Sequence, residues 1–388
     1  VNALFLSPAQ LLTPGGGGQQ HCTREYHDTL TAAGFNLVDV SYETDRSPST
    51  RLRRRFRPAP YTNLIPSSFF DQVKEAVRKI QPAFVFCNPS DFVSMGSHLR
   101  ALVPAGTRVV FLSAGLASVD ELHAGRIAHA AVAKGQFPAV SSEWIGRRLY
   151  AESEGLPHFD HVFCLAAFEV EICRWLGARS VSWLPRTIAS DQALEWRPAG
   201  DRVGCVGTFD HPPNLEGLEA FCAALQLRGS QSLRVRLVTR SRDFARSLCS
   251  RYQFVDDLGA LDAGDDLERE AATWSAFIHP IFCYAMGCST KLATGLSWQI
   301  PVITTEAGIR GYEWTDGTLP LALSPADMVT LTLAALDPAQ ASTMREEVMK
   351  IVHSTPSTID VANRIRRHLH LADSEDYSGA DSQRPCLS

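Results

Sequence analysis

The stretch Met286-Gly287-Cys288-Ser289-Thr290-Lys291 reads as a loop opening a helix that runs from Ser289 to Trp298. The first amides of a helix have no intrahelical partner. With the positive end of the helix dipole, they form a site for an anion such as phosphate. Lys291 in the first turn adds a full charge. A lysine there opposes the dipole at a cost of roughly a few tenths of a kcal/mol, unless an anion offsets it. A solvated lysine at a helix start is the plainer reading of the same residue. Thr294 follows three positions later on the same helix face, so both side chains meet one ligand.

Gly15-Gly16-Gly17-Gly18 offers a second phosphate candidate. Without Cβ atoms, backbone can approach a ligand closely, and a helix from His21 to Ala33 follows. A flexible surface linker is the alternative. A nicotinamide fingerprint fits poorly, because the GxGxxG spacing is absent. Glu306 opens a loop after the run Pro301–Thr304 and is a candidate to reach a sugar. The run Arg51, Arg53, Arg54, Arg55, Arg57 is strongly basic, suited to an anionic acceptor or peripheral contact with a membrane surface, and equally to a solvated loop. No HExxH, paired metal histidines or Gly-x-Ser-x-Gly is present.

The elements that must position these residues alternate. Short apolar runs (Asn2–Ser7, Phe35–Val40, Ala83–Cys87, Arg108–Leu112, His161–Leu165, Val181–Leu184) read as strands. Helical stretches at His21–Ala33, Ser67–Ile80, Val93–Val103, Ala139–Gly155 and Ala167–Leu176 separate them. Strands apolar throughout, set between helices, indicate parallel sheets covered on both faces. After a weakly patterned link at 189–201, a second series follows: strands Arg202–Gly207, Leu233–Val238, Phe254–Leu258, Ala276–Ile278 and Pro301–Thr304. The helices between them are Asn214–Leu225, Asp243–Arg251, Asp266–Thr273 and Ser289–Trp298. The expected fold is therefore α/β, with two doubly wound Rossmann-like domains facing a cleft. The division expected is 1–188, 202–356, a helix at 357–370 and a disordered tail at 371–388.

Composition agrees. The chain has 388 residues, enough for two domains, with 45% hydrophobic and 20% charged residues and a net charge of −5. That balance argues against a nucleic-acid partner, and no apolar run reaches the roughly 18 residues of a membrane helix. Ten cysteines without a CxxC pair, among them Cys87, Cys164 and Cys205 inside apolar runs, fit free thiols in a reducing, cytoplasmic compartment. The chain begins at Val1 on a strand-like run without an initiator Met, as expected of a trimmed chain or a piece of a longer one.

Two stretches resemble a known family. Val206-Gly207-Thr208-Phe209-Asp210-His211-Pro212-Pro213-Asn214-Leu215-Glu216-Gly217-Leu218 is similar to a "VGxxxxxPNxxGL" opening. Met286 to Ser297, continuing through Gln299-Ile300-Pro301-Val302-Ile303-Thr304-Thr305 to Gly308 and Gly311, is similar to "GxxxKxxEAxAxGxPVVTTxxGxxG". Both belong to the C-terminal domain of GT-B-fold glycosyltransferases of the family-4 (GT4) type. The resemblance implies transfer of a sugar from a nucleotide-diphosphate donor to a glycan or small-molecule acceptor, with retention of configuration, no required metal and no cofactor. It implies that Ser289, Thr290 and Lys291, with Gly16 and Gly17, hold the donor diphosphate, and that the 357–370 helix packs back on the first domain. Lys291 and Glu306 are the expected catalytic residues.

The departures are specific. The family's Glu-x7-Glu falls on Met286 and Thr294, which leaves a neutral hydroxyl to meet the ribose. The Arg and Lys that bind phosphate after the first strand of the C-domain are replaced by Asp210-His211-Pro212-Pro213-Asn214; Arg240 or Arg242 is the candidate substitute. The family's N-domain histidine has only His123 as a counterpart, Asp256 and Asp257 lie in the base-binding region, and Arg186 falls at the hinge as a structural residue. Losing both acids also fits a non-catalytic binding module of the same fold.

Overall fold

Eleven strands, paired in parallel throughout, form two sheets among the described residues. This computed structural model describes residues 1–13, 17–44, 47–49, 52, 61, 65–129, 141–209, 211–229, 232–262 and 264–371. The first sheet contains β1 (Asn2–Pro8), β2 (Asn36–Tyr42), β3 (Phe84–Cys87), β4 (Arg108–Ser113), β5 (His161–Cys164) and β6 (Val181–Trp183). Their spatial order is β2-β1-β3-β4-β5-β6. The second contains β7 (Arg202–Val206), β8 (Arg234–Val238), β9 (Val255–Gly259), β10 (Phe277–Ile278) and β11 (Val302–Ile303), ordered β11-β10-β7-β8-β9. Residues 184–201 between them carry neither helix nor strand.

The period of two explains why these runs are apolar throughout. Leu4, Leu6, Val85 and Cys87 point into one core with Phe69, Val73 and Phe92. Their neighbours Ala3, Phe5, Phe84 and Phe86 enter another with Tyr26, Leu30 and Phe35. Both faces of the sheet are covered, so its inner strands are mostly apolar on each, with Ser7, Ser113 and His161 as buried exceptions. The second sheet repeats this, with Val203, Cys205 and Leu237 on one face and Val238, Phe277 and Val302 on the other. The fold is two Rossmann-like α/β domains.

In each sheet the winding reverses at one place, between β1 and β3 and between β7 and β10. Ligands of open α/β sheets bind beyond the carboxyl ends of the strands at such reversals.

The helix Thr358–His368 returns to the first sheet. Val361, Ala362, Ile365 and Leu369 join the core of Phe5 and Phe86. Arg108 Nη1 donates to the Leu369 carbonyl at 2.6 Å, and Arg366 Nη1 to the Ala33 carbonyl at 3.1 Å. Beyond Leu371 the expected tail lies outside the described residues, as do Arg51, Arg53, Arg54, Arg55 and Arg57.

The helices Ala9–Leu12, Ala117–His129, Pro325–Ala334 and Pro338–Ser354 go beyond the sequence reading. The last two start alike. Ser324 and Asp337 accept backbone N–H groups at the N-cap, and a proline takes the first helical position. That local signal was legible. The expected helix at 93–103 is instead a 3₁₀ turn, Ser90–Met95, followed by the helix Gly96–Leu102.

Candidate functional site

Two helix N-termini meet between the sheets. The helix Gly18–Ala32 follows β1, and the helix Thr290–Ser297 follows β10. They approach so closely that a Cβ on Gly18 would lie 2.9 Å from Thr290 Oγ1. Beside them opens a cavity of about 620 Å³, within the range of small-molecule sites. Gly17, Gly18, His21, Arg24, Glu25 and Asp28 line it from the first domain. From the second come Val206–Thr208 beyond β7, Val238–Arg240 beyond β8, Ala260 and Leu261 beyond β9, and Lys291 and Thr294. The cavity therefore lies beyond the carboxyl ends of both sheets.

Lys291 is half-buried, and its stem lies across Gly207, where a Cβ would meet Lys291 Cε at 2.5 Å. The glycine makes room for the lysine to fold over the end of β7. Its Nζ sits 5.8 Å from the Phe209 ring centre. Thr294 is half-buried on the same wall. Arg240 is exposed and lines the cavity, whereas Arg242 lies over Gly259, 3.9 Å from Asp257. Gly17 lines the cavity; Gly16 lies outside the described residues.

Ser289 caps the Thr290 helix by position, but its side chain accepts none of the helix amides; the Ala293 N–H donates to the Tyr312 hydroxyl at 3.1 Å. The Ser289 hydroxyl pairs instead with His279 Nε2 at 2.7 Å, and His279 Nδ1 with Thr304 Oγ1 at 2.8 Å. Burial, with Lys291 and Arg310 nearby, holds the His279 imidazole well below its ordinary pKa, so it is neutral. The N-terminus thus keeps its amides for a ligand.

Glu306 is exposed, hydrogen-bonded with the Tyr284 phenol, and lines neither this cavity nor the next. His123 is half-buried and also outside both. Asp256 pairs with Arg234 and Arg236. Arg186 is more than a hinge residue. It is buried, paired through Nε with Glu25 Oε2 at 2.5 Å, and forms part of the cavity wall. Burial, then Arg24 and Arg186, push the His21 imidazole below its usual pKa. The wall is electropositive.

A second cavity of about 310 Å³ shares Gly18, Thr208, Thr290 and Lys291 with the first. Asp120 and His211 face each other across it, Oδ2 to Nε2 at 2.7 Å. Asp120 Oδ1 also accepts the Met286 N–H at 2.8 Å. Burial pushes this carboxyl up, but His211, the Met286 amide and Arg310 outweigh it and hold it below the usual range. Asp120 escaped the sequence reading because its helix, Ala117–His129, did.

Deeper still, the domains touch backbone to backbone. A Cβ on Gly115 (φ +119°) would lie 2.4 Å from the Gly287 nitrogen, and one on Gly287 (φ +57°) 2.2 Å from the Ala114 carbonyl oxygen. Only glycine fits both the contact and the left-handed backbone. Glu169, fully buried, accepts the Gly287 N–H at 2.8 Å and the Leu116 N–H at 3.3 Å through Oε1. Burial pushes its carboxyl up to about 7.

Neither a protein-family model nor a curated protein sequence matches this chain. Solved structures do. Sucrose-phosphate synthase from Thermosynechococcus elongatus superimposes with a TM-score of 0.67 at 16% identity, covering 95% of this chain and 98% of that one. Anabaena HepE in complex with UDP and glucose gives 0.64 at 12% identity, with 95% and 99% covered. The lipopolysaccharide outer core galactosyltransferase WaaB gives 0.57 at 12%, again with 95% and 99% covered. At such identities the likeness is one of fold, and the fold is that of GT-B glycosyltransferases.

Proposed function

We propose that this chain is a glycosyltransferase that moves a sugar from a nucleoside-diphosphate donor to an acceptor hydroxyl with retention of configuration. One observation carries the reading: the N-terminus of the Thr290 helix, which the Ser289 side chain leaves uncapped, converges with Lys291 and Arg240 on one cavity beyond the carboxyl ends of both sheets. Such a place selects a diphosphate. HepE was solved with UDP and glucose in the same fold, which supports the donor class.

The Ser289, Thr290 and Lys291 amides and the Lys291 ammonium hold the diphosphate, with Gly17 contributing from the opposite wall. As the bond from sugar to diphosphate breaks, negative charge grows on the departing phosphate, and these groups lower the barrier by meeting it. The acceptor supplies its own hydroxyl nucleophile. Thr294 meets the ribose. No metal is assigned a role in this reading; transfer undiminished by a chelator is the corresponding test. Glycans and small molecules are both open as acceptors.

Thermal unfolding with UDP, GDP, ADP and NAD tests the donor site. A ligand at about 100 times its Kd adds about 2.7 kcal/mol. One nucleoside diphosphate should stabilise the chain and NAD should not. Silence from all three diphosphates sinks the proposal. Met286 and Thr294, standing where acids are usual, favour a second reading, a binding module without turnover. Stabilisation by a diphosphate without consumption of any nucleotide sugar would decide for that module.

A further inference from the structure

We propose that Cys22 and Cys288 form a redox-modification site, a dithiol that peroxide converts to a disulfide joining the two domains at the floor of the cleft. Cys22 lies in the helix Gly18–Ala32 of the first domain, and Cys288 in the loop before the Thr290 helix of the second. Cys288 packs against the core cluster that holds Cys22. One guanidinium nitrogen serves both: Arg186 Nη1 lies 3.5 Å from Cys22 Sγ and 3.6 Å from Cys288 Sγ. Both cysteines line the smaller cavity, so a small oxidant reaches them through the cleft.

A second pair in the same chain shows what the site has in addition. Cys164 and Cys173 also touch, Sγ to Sγ at 3.7 Å, but both are buried in the apolar core of the first domain and line neither cavity. A lining position in a cavity and a guanidinium nitrogen within 3.6 Å of both sulfurs belong to Cys22 and Cys288. The partners of that pair are also unequal. The Cys288 hydrogen bond and burial raise the Cys22 thiol. Burial raises Cys288 too, but the hydrogen bond from Cys22 and the Arg186 charge outweigh it and hold Cys288 below the ordinary thiol range. Thiolate is the nucleophilic form. Cys288 is also the more accessible sulfur, half-buried where Cys22 is buried, and so is the attacking one, with Cys22 resolving.

The steps balance. The Cys288 thiolate attacks one oxygen of hydrogen peroxide, the O–O bond breaks, and the leaving hydroxide takes a proton to become water. Cys288 is then a sulfenic acid. The Cys22 sulfur gives up its proton and attacks the Cys288 sulfur; the S–O bond breaks and a second water leaves. Two electrons pass from the dithiol to one peroxide. The product ties the helix that opens at Gly18 to the loop that opens the Thr290 helix.

Peroxide treatment of the full chain, alkylation of the remaining thiols and peptide mass analysis read the result. The alkylated count should fall by two from ten, with the Cys22 and Cys288 peptides linked, two hydrogens lighter, and separated again by dithiothreitol. In Cys22→Ser, dimedone should label Cys288; in Cys288→Ser it should leave Cys22 unlabelled. The wild-type arm needs no variant to fold. Recovery of both cysteines alkylated, or a link confined to Cys164 and Cys173, overturns the site. The effect on the cleft rests on the donor reading above and has its own readout, the release rate of fluorescent UDP. Release should slow on oxidation and recover with dithiothreitol; an unchanged rate with the link formed overturns the effect on the cleft. A linked chain that binds no UDP in either state removes the donor reading and leaves the redox site standing.

Discussion

The cleft wall and the seam beneath it are both polar, yet they are built from opposite materials. At the wall, the charged groups are mostly cations (Lys291, Arg240 and Arg24), and the Ser289 side chain leaves the first amides of the Thr290 helix uncapped. At the seam the key groups are carboxylates, Asp120 and Glu169; each accepts one backbone N–H across the domain boundary, and Glu169 a second from Leu116 of its own domain. Cations beside a solvated cavity suit a charged ligand that comes and goes. At the seam Glu169 Oε1 takes its two amides within the protein, while the buried Oε2 has no partner, a state that costs about 1–3 kcal/mol and fits the raised carboxyl pKa. The wall is arranged for a visitor and the seam for permanence.

The wall should yield the largest effect. Lys291→Ala is expected to lower turnover by roughly one to three orders of magnitude if Lys291 meets the departing diphosphate. Steady-state kinetics beside a circular-dichroism check of the fold measure this; unchanged turnover in a folded variant removes Lys291 from the site.

The seam should answer to pH instead. Glu169 titrates near 7 in the folded chain, against 4.5 without burial. Between those values the folded state binds more protons than the unfolded state, so stability falls as pH rises through that window and levels off above it. Glu169→Gln keeps an acceptor for both amides and cannot ionise. Its stability should match wild type near pH 4 and exceed it at pH 8 by up to about 3 kcal/mol. Denaturant melts across that range decide the matter, and parallel curves for the two chains would show that Glu169 is not strained by its ionisation.

Back at the wall, Thr294→Glu should tighten UDP binding by about 1–2 kcal/mol, the difference between a charged and a neutral acceptor for a ribose hydroxyl. Calorimetric titration distinguishes this from weaker binding in a well-folded variant, which would mean that Thr294 does not face the ribose. The smallest effect is expected where neither region reaches. Glu306 is exposed beside Tyr284 and lines neither cavity. Glu306→Gln should change turnover by less than about twofold, the scale of a surface substitution. A loss of tenfold or more would give Glu306 a part in the chemistry.

What the sequence determined by itself was local in origin. Strands apolar throughout, such as Ala3-Leu4-Phe5-Leu6, require cover on both faces, and their alternation with helices forces parallel sheets. Ser289-Thr290-Lys291 and Thr294 fall within one helical turn of each other or nearly so, and helix geometry alone puts Lys291 and Thr294 on the wall they share. The fold and half of the wall were legible for that reason. The tertiary structure decided everything that pairs one domain with the other. Asp120 with His211 and Met286, Glu169 with Gly287, and Cys22 with Cys288 about Arg186 each join residues from distant parts of the chain. Sequence spacing carries no information on such pairs. An acid in the first turn of a helix, as Glu169 is, looks like any other that complements the dipole. Whether it meets water or the amide of a second domain depends on how two independently folded sheets come to rest against each other, and that is settled by long-range packing.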